Sequence, residues 1–138
     1  MKIFFIIPFI LFINNLFSQD YIKDTIRNYD KEIILSIPNK YLSKKIINEE
    51  EGCFLIYTFS DESYLLLYYG TMTEFPYYEK ISYEYIQYKD KYIYKGLKEN
   101  RYFRFDKYLL ENLYVIYECN KCSIERMNVI LDSLIIIR

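Results

Sequence analysis

Cys119-Asn120-Lys121-Cys122 is the stretch of this chain whose residue types and spacing point most directly to covalent chemistry. In a C-x-x-C pair one thiolate attacks a disulfide and the second thiol resolves the mixed intermediate, which makes Cys119 the nucleophile and Cys122 its resolving partner. The pair follows an apolar, strand-like run, Leu113 to Tyr117, and precedes a helical pattern, so a helix N-terminus there would lower a thiol's pKa. Only one more helix's worth of chain follows, however, whereas thioredoxin-like folds place a βαβ unit and further strands after the dithiol. The competing use of Cys119 and Cys122 is a plain structural disulfide, or buried free thiols alongside Cys53.

Much other chemistry is removed by missing residue types. The 138 residues include no histidine, which excludes an imidazole base, a His–Cys pair and a His-ligated metal. Three glycines, at 52, 70 and 96, are too few and too scattered for a phosphate-cradling loop or a dinucleotide fingerprint, so no cofactor is expected. Glu49-Glu50-Glu51 are consecutive carboxylates in one turn and do not converge as an oxygen cage requires; no metal is expected either. The net charge of -1 and pI of about 5.6 lack the basic excess of a nucleic-acid binder. Lys89, Lys91, Lys95, Lys98, Arg101 and Arg104 are interleaved with tyrosines as in single-strand binders, but in a slightly acidic chain they read as a solvated strand face.

Binding chemistry is better represented. All 18 tyrosines lie beyond the first eighteen residues, and Tyr77, Tyr78, Tyr83, Tyr85, Tyr88, Tyr92 and Tyr94 crowd one region. Tyrosine offers a large, stiff contact area with a polar tip, suited to a protein partner or to stacking on sugar rings. Phe75, Tyr77, Tyr78, Tyr83 and Tyr85 are the candidate contact residues, set on the loop from Gly70 to Lys80 and the strand that follows it. The alternative is structural: alternate tyrosines form core and cross-strand pairs while the rest cover the sheet, and AT-rich codons inflate Ile, Tyr, Lys, Asn and Phe together.

The N-terminus sets the compartment. Met1-Lys2 gives a short positive start, Ile3 to Ile13 is an unbroken apolar run, and Asn14-Asn15 ends it before Leu16-Phe17-Ser18. Residues 1–18 therefore read as a signal peptide cut near Ser18, because a membrane span needs about 20 apolar residues. A periplasmic or secreted protein is expected, with no stable membrane insertion after cleavage.

The elements that must position these groups are mostly strands. Residues 19–31 read as a loosely ordered lead-in or short helix, and 32–138 as one domain. Ile33, Leu35 and Ile37 alternate on a strand ended by Pro38, which opens a brief helix through Leu42 and Ile46. Cys53 to Phe59 and Tyr64 to Tyr69 form a hairpin about Ser60-Asp61-Glu62-Ser63. Ile81 to Tyr85 alternates strictly, a slip at Ile86 fits a β-bulge, and Gly96 to Asn100 joins the next two strands. Ser123 is placed to cap a helix whose apolar stripe is Ile124, Met127, Ile130, Leu131 and Leu134, and Ile135-Ile136-Ile137 ends the chain as an extended tail. The fold class is α+β: a twisted antiparallel meander covered by one or two helices, one of them C-terminal.

A strand ending in Ile37-Pro38, a helical stretch, an Asp61-turned hairpin, a meander and a closing Ile130-Leu131-Asp132-Ser133-Leu134 helix resemble small exported bacterial proteins of the PsbP-like α/β/α sandwich type over Glu32 to Arg138. The resemblance implies a non-catalytic accessory or binding module and carries over no functional residue. The expected function is an exported binding or accessory protein with a protein partner. A thiol–disulfide oxidoreductase and a glycan-binding module are the alternatives.

Overall fold

The computed structural model describes residues 20–28, 31–71 and 76–138. The signal-peptide reading of residues 1–18 and the candidate contact residue Phe75 fall outside them. The strands are β1 (Tyr21–Asn28), β2 (Lys31–Pro38), β3 (Ser43–Glu49), β4 (Gly52–Thr58), β5 (Tyr64–Gly70), β6 (Ser82–Tyr88), β7 (Lys91–Lys98), β8 (Arg101–Tyr108), β9 (Leu113–Cys119) and β10 (Ile135–Ile137). The helices are α1 (Pro76–Ile81) and α2 (Ile124–Asp132), the latter entered through a 3-10 turn at Lys121–Ser123. Every strand pairing is antiparallel.

Two sheets result, one of three strands in the order β1-β2-β10 and one of seven in the order β3-β4-β5-β9-β8-β7-β6. The larger sheet is two meanders, β3-β4-β5 and β6-β7-β8-β9, joined where β9 pairs with β5 from Tyr64↔Glu118 to Tyr69↔Leu113. Its inner face carries Leu55, Tyr57, Leu65, Leu67, Leu113, Val115, Tyr117 and Cys119. They meet Ile33, Leu35 and Ile37 of β2 and Met127, Ile130 and Leu131 of α2 in one buried cluster. The outer face holds a second cluster of Tyr68, Tyr78, Phe103, Phe105, Tyr114 and Ile116.

The protein is thus more β-rich than a meander covered by helices: the inner cover is a second sheet together with α2. β1 occupies the supposed lead-in. Its Ile26 packs against the inner core, and its full length pairs with β2 from Tyr21↔Pro38 to Asn28↔Lys31. The expected helix through Leu42 and Ile46 is instead β3, paired with β4 from Ser43↔Thr58 to Glu49↔Gly52. The bulge falls between Ser82 and Glu84, and not at Ile86. Gly96 is not in a turn but inside β7 opposite Phe103, whose ring an added Cβ would approach to 2.7 Å. The turn itself is Glu99-Asn100, both at positive φ (50° and 64°), as a two-residue hairpin with right-handed twist requires.

α2 is fixed at both ends by polar contacts. Ser123 occupies the N-cap position, but its side chain makes no capping bond; its Oγ instead donates to the Asp61 carboxylate, and Arg126 Nη2 bonds the same oxygen. At the other end the buried Arg104 grips Asp106 with two parallel bonds of 2.7 and 2.8 Å and reaches Asp132 at 2.8 Å and Asn128 at 3.2 Å. Lys91 adds a second cation 2.8 Å from Asp106. Arg104→Met leaves the buried Asp106 carboxylate with Lys91 as its remaining cation and is expected to lower unfolding free energy by about 2–3 kcal/mol in urea titrations. Asp132→Asn, at a side chain 66% exposed, should cost under about 1 kcal/mol; equal effects would show that Asp106 gains nothing from its arginine.

Candidate functional site

The strands of the larger sheet differ sharply in cover. β9 is buried at all seven positions, because its two faces serve the two core clusters. β6 is the opposite case. It lies at the sheet edge, is bonded to β7 alone, and is exposed from Tyr83 to Tyr88. Tyr83 is 64% exposed, Tyr85 50%, Ile86 39% and Tyr88 63%, with Tyr77 of α1 at 52%. Apolar groups this large, contiguous and open on both faces of one strand differ from singly scattered surface residues.

The bulge decides which tyrosines share a face. Strict alternation would put Tyr83 and Tyr85 together. The register shift turns Tyr83 towards Tyr102 and Glu84 on the inner side, while Tyr85 keeps to the outer side beside Tyr92 and Glu79. Tyr85 ends an aromatic ladder that crosses the outer face strand by strand. Phe54 meets Tyr68 (4.6 Å between centroids), Tyr68 meets Tyr114 (6.0 Å), Tyr114 meets Phe105 (6.2 Å), Phe105 meets Tyr94 (5.8 Å) and Tyr94 meets Tyr85 (5.1 Å). Cross-strand aromatic pairs of this kind stiffen a sheet. Here they support the exposed strand from its covered neighbours.

Tyr78 is not a surface residue. α1 presses it onto Phe103 and Phe105, with ring centroids 5.1 and 5.8 Å away, and its hydroxyl donates to Glu118 Oε1 at 2.7 Å. Lys98 Nζ bonds the same carboxylate oxygen at 2.9 Å, and Arg101 lies 3.9 Å from the other. Burial opposes the Glu118 charge, but hydrogen bonds from Tyr64, Lys98 and Tyr78 outweigh it and hold its pKa below the ordinary carboxylate range. Burial and the same carboxylate push the Tyr64 phenol far up, so it stays a neutral donor. This cluster ties α1 to β9 and so sets where Tyr77 emerges. Nothing in the sequence pattern joined Glu118 to Tyr78, forty residues earlier.

The basic residues between Lys89 and Arg104 are drawn into local pairs. Lys91 and Arg104 hold Asp106, Lys98 and Arg101 hold Glu118, Lys95 lies 4.0 Å from Glu84, and Lys89 sits over the Tyr88 ring at 5.5 Å. Glu49, Glu50 and Glu51 are exposed at the β3–β4 turn. Among the described residues no group of three or more Cys, Asp or Glu is arranged to hold a metal ion, and no helix is long and apolar enough to cross a membrane.

Cys119 is a free thiol at the end of β9, with no exposed surface, its Sγ 4.0 Å from Met127 Sδ. Burial, with the Asp61 carboxylate adding to it, pushes its pKa up to about 11, the reverse of the lowering expected at a helix start. Asp61 keeps its charge: burial opposes it, but bonds from Ser123 and Ser63 and the Arg126 cation hold its pKa at about 2. Cys122 has its backbone in the 3-10 turn, and its side chain lies outside the described set. Cys53, also free, is buried on β4.

No protein-family profile, no curated protein and no solved structure matches this chain.

With Cys119 as the sole cysteine in a Cys53→Ser/Cys122→Ser variant, labelling by Ellman's reagent at mildly alkaline pH should be roughly a hundredfold slower in the native protein than in denaturant. Native labelling as fast as that of a free cysteine would instead support the thiol–disulfide chemistry.

Proposed function

We propose that this is an exported, non-catalytic binding protein that engages a protein partner through β6 and the neighbouring Tyr77. The observation that carries the proposal is the exposure of six consecutive β6 residues, four of them tyrosine or isoleucine, whereas β3, the exposed strand at the other edge of the same sheet, shows mainly polar groups: Ser43, Lys44, Lys45, Asn48 and Glu49 beside Ile46. Tyrosine and isoleucine on a strand backed by stacked rings lose little conformational freedom on binding, which favours affinity per contact. A glycan platform wants several open rings on one face. Tyr83 and Tyr85 point to opposite faces, and Tyr85 is already stacked on Tyr92 at 6.0 Å, so a partner that grips both sides of the strand fits better. The apolar N-terminal run supports action outside the cytosol.

Site-specific photocrosslinking in the native extracellular or periplasmic fraction tests the proposal. A benzophenone residue at 77, 83 or 88 should give discrete protein adducts, whereas the same residue at 42 or 45, exposed on the far edge strand region, should not. Adducts distributed equally over all five positions would contradict it.

A further inference from the structure

The inner cover of the seven-stranded sheet stops one strand short of its β3 edge. Leu55 of β4 and Leu67 of β5 belong to the inner core, but no described residue of β3 joins either core cluster. Ile46, paired with Leu55 and so on the same face, is 59% exposed. Between this uncovered face and β1 runs a half-enclosed cleft of about 280 Å3, walled by Ile26, Ile46, Cys53, Leu55 and Tyr69. A more open hollow of about 290 Å3 adjoins it at the β3–β4 turn, sharing Asn48, Cys53 and Tyr69 and adding Glu49, Glu50 and Glu51. From these joined hollows we infer a binding site for a single-chain amphiphile with a cationic head group. The apolar chain lies among Ile26, Ile46 and Leu55, and the ammonium sits at Tyr69 and the three carboxylates.

Charge decides the head group. The two cations lining the cleft are already matched, Lys44 by Asp24 at 2.6 Å and Arg27 by Glu32 at 3.0 Å. Glu49, Glu50 and Glu51 form no ion pair among the described residues, so the uncompensated charge of the site is negative. An anionic head would meet three like charges there. Tyr69 lines both hollows, which puts an aromatic ring where chain and head join, and rings beside carboxylates suit an ammonium. The acidic turn is held in place before any ligand arrives. The Glu51 carbonyl accepts bonds from Thr71 N at 2.8 Å, the Tyr68 hydroxyl at 2.9 Å and Thr71 Oγ1 at 3.2 Å. Gly52 lets β4 and β5 close tightly behind it, since an added Cβ would lie 2.4 Å from the Tyr69 carbonyl oxygen. Such a preformed site spends little free energy on ordering. It lies at the opposite edge of the sheet from β6, so it is independent of the protein-binding surface.

Titration of the purified protein with decyltrimethylammonium, kept below its micelle-forming concentration and followed by NMR chemical shifts, reads the outcome. Saturable shifts should centre on residues 25–27, 44–48 and 53–55, with a dissociation constant below about 1 mM, and decyl sulfate should bind at least about tenfold more weakly. Replacing the three carboxylates together, Glu49→Gln/Glu50→Gln/Glu51→Gln, should weaken the ammonium probe about tenfold and remove its advantage over the sulfate. Ile46→Ser, at an exposed edge position, should abolish saturation with circular dichroism unchanged from the parent. Shifts that fail to saturate, shifts centred on residues 83–88, equal binding of decyl sulfate, or variants that bind like the parent overturn the inference. Photocrosslinking at 77, 83 and 88 does not depend on this site, so the failure of either reading is distinguishable from the failure of the other.

Discussion

Pairing of β9 with β5 is the contact on which the rest of the molecule depends. Without it the two meanders are separate small sheets, each with an apolar face and an open edge; with it, β9 gains cover on both sides and divides the interior into two clusters. The pairing joins residues about fifty positions apart, from Tyr64↔Glu118 to Tyr69↔Leu113, so its closure entropy must be met before the cores can form. The stacked rings of Tyr68 and Tyr114 sit across this seam on the outer side, and Leu65, Leu67, Val115 and Tyr117 line it on the inner side. Everything further from β9 along the sheet is progressively less covered, down to β6.

The buried polar groups refine this arrangement and are not its main source of stability. A desolvated ion pair such as Arg104–Asp106 gives back in attraction much of what it loses in hydration. Its value lies in geometry: a bidentate guanidinium admits few orientations, and the third bond to Asp132 fixes the end of α2 over β8. The Asp61, Ser123 and Arg126 contacts do the same at the start of the helix. Held at both ends, α2 can only lay Met127, Ile130 and Leu131 onto β2 and β9. On the outer side Tyr78, Glu118 and Lys98 serve α1 likewise, leaving Tyr77 exposed beside the open edge.

Much of this was legible in the residues, and the failures have physical causes. Apolar alternation in β2, the Ser60-Asp61-Glu62-Ser63 turn and the helical stripe Met127, Ile130, Leu131 each record a face that is buried in the fold. β3 left no such record, because an edge strand exposed at six of seven positions needs no alternation, and Leu42 and Ile46 happen to share a helical spacing. β1 was illegible for a related reason: its pairing with β2 comes from main-chain bonds, while its side chains are mostly polar. The tyrosine region mixed two populations that composition does not separate. Tyr78 is buried by a carboxylate forty residues away, and Tyr83 is turned from Tyr85 by one extra residue in the ladder. The slip at Ile86 and Tyr88 fitted a β-bulge, but the bulge lies at Tyr83 and both residues are simply exposed. Apolar residues continuing past the slip in alternation leave both faces of a strand apolar, which suits either complete burial or a second polypeptide.

The account therefore turns on a contrast between a strand covered on both faces and a strand covered on neither. Residue-resolved amide hydrogen exchange tests it most directly. The amides of β9, from Leu113 to Cys119, should exchange only with global unfolding. Those of β6 should exchange far faster, as an exposed edge strand bonded to β7 alone requires. Protection equal in β6 and β9 would contradict the central claim that β6 is an open edge.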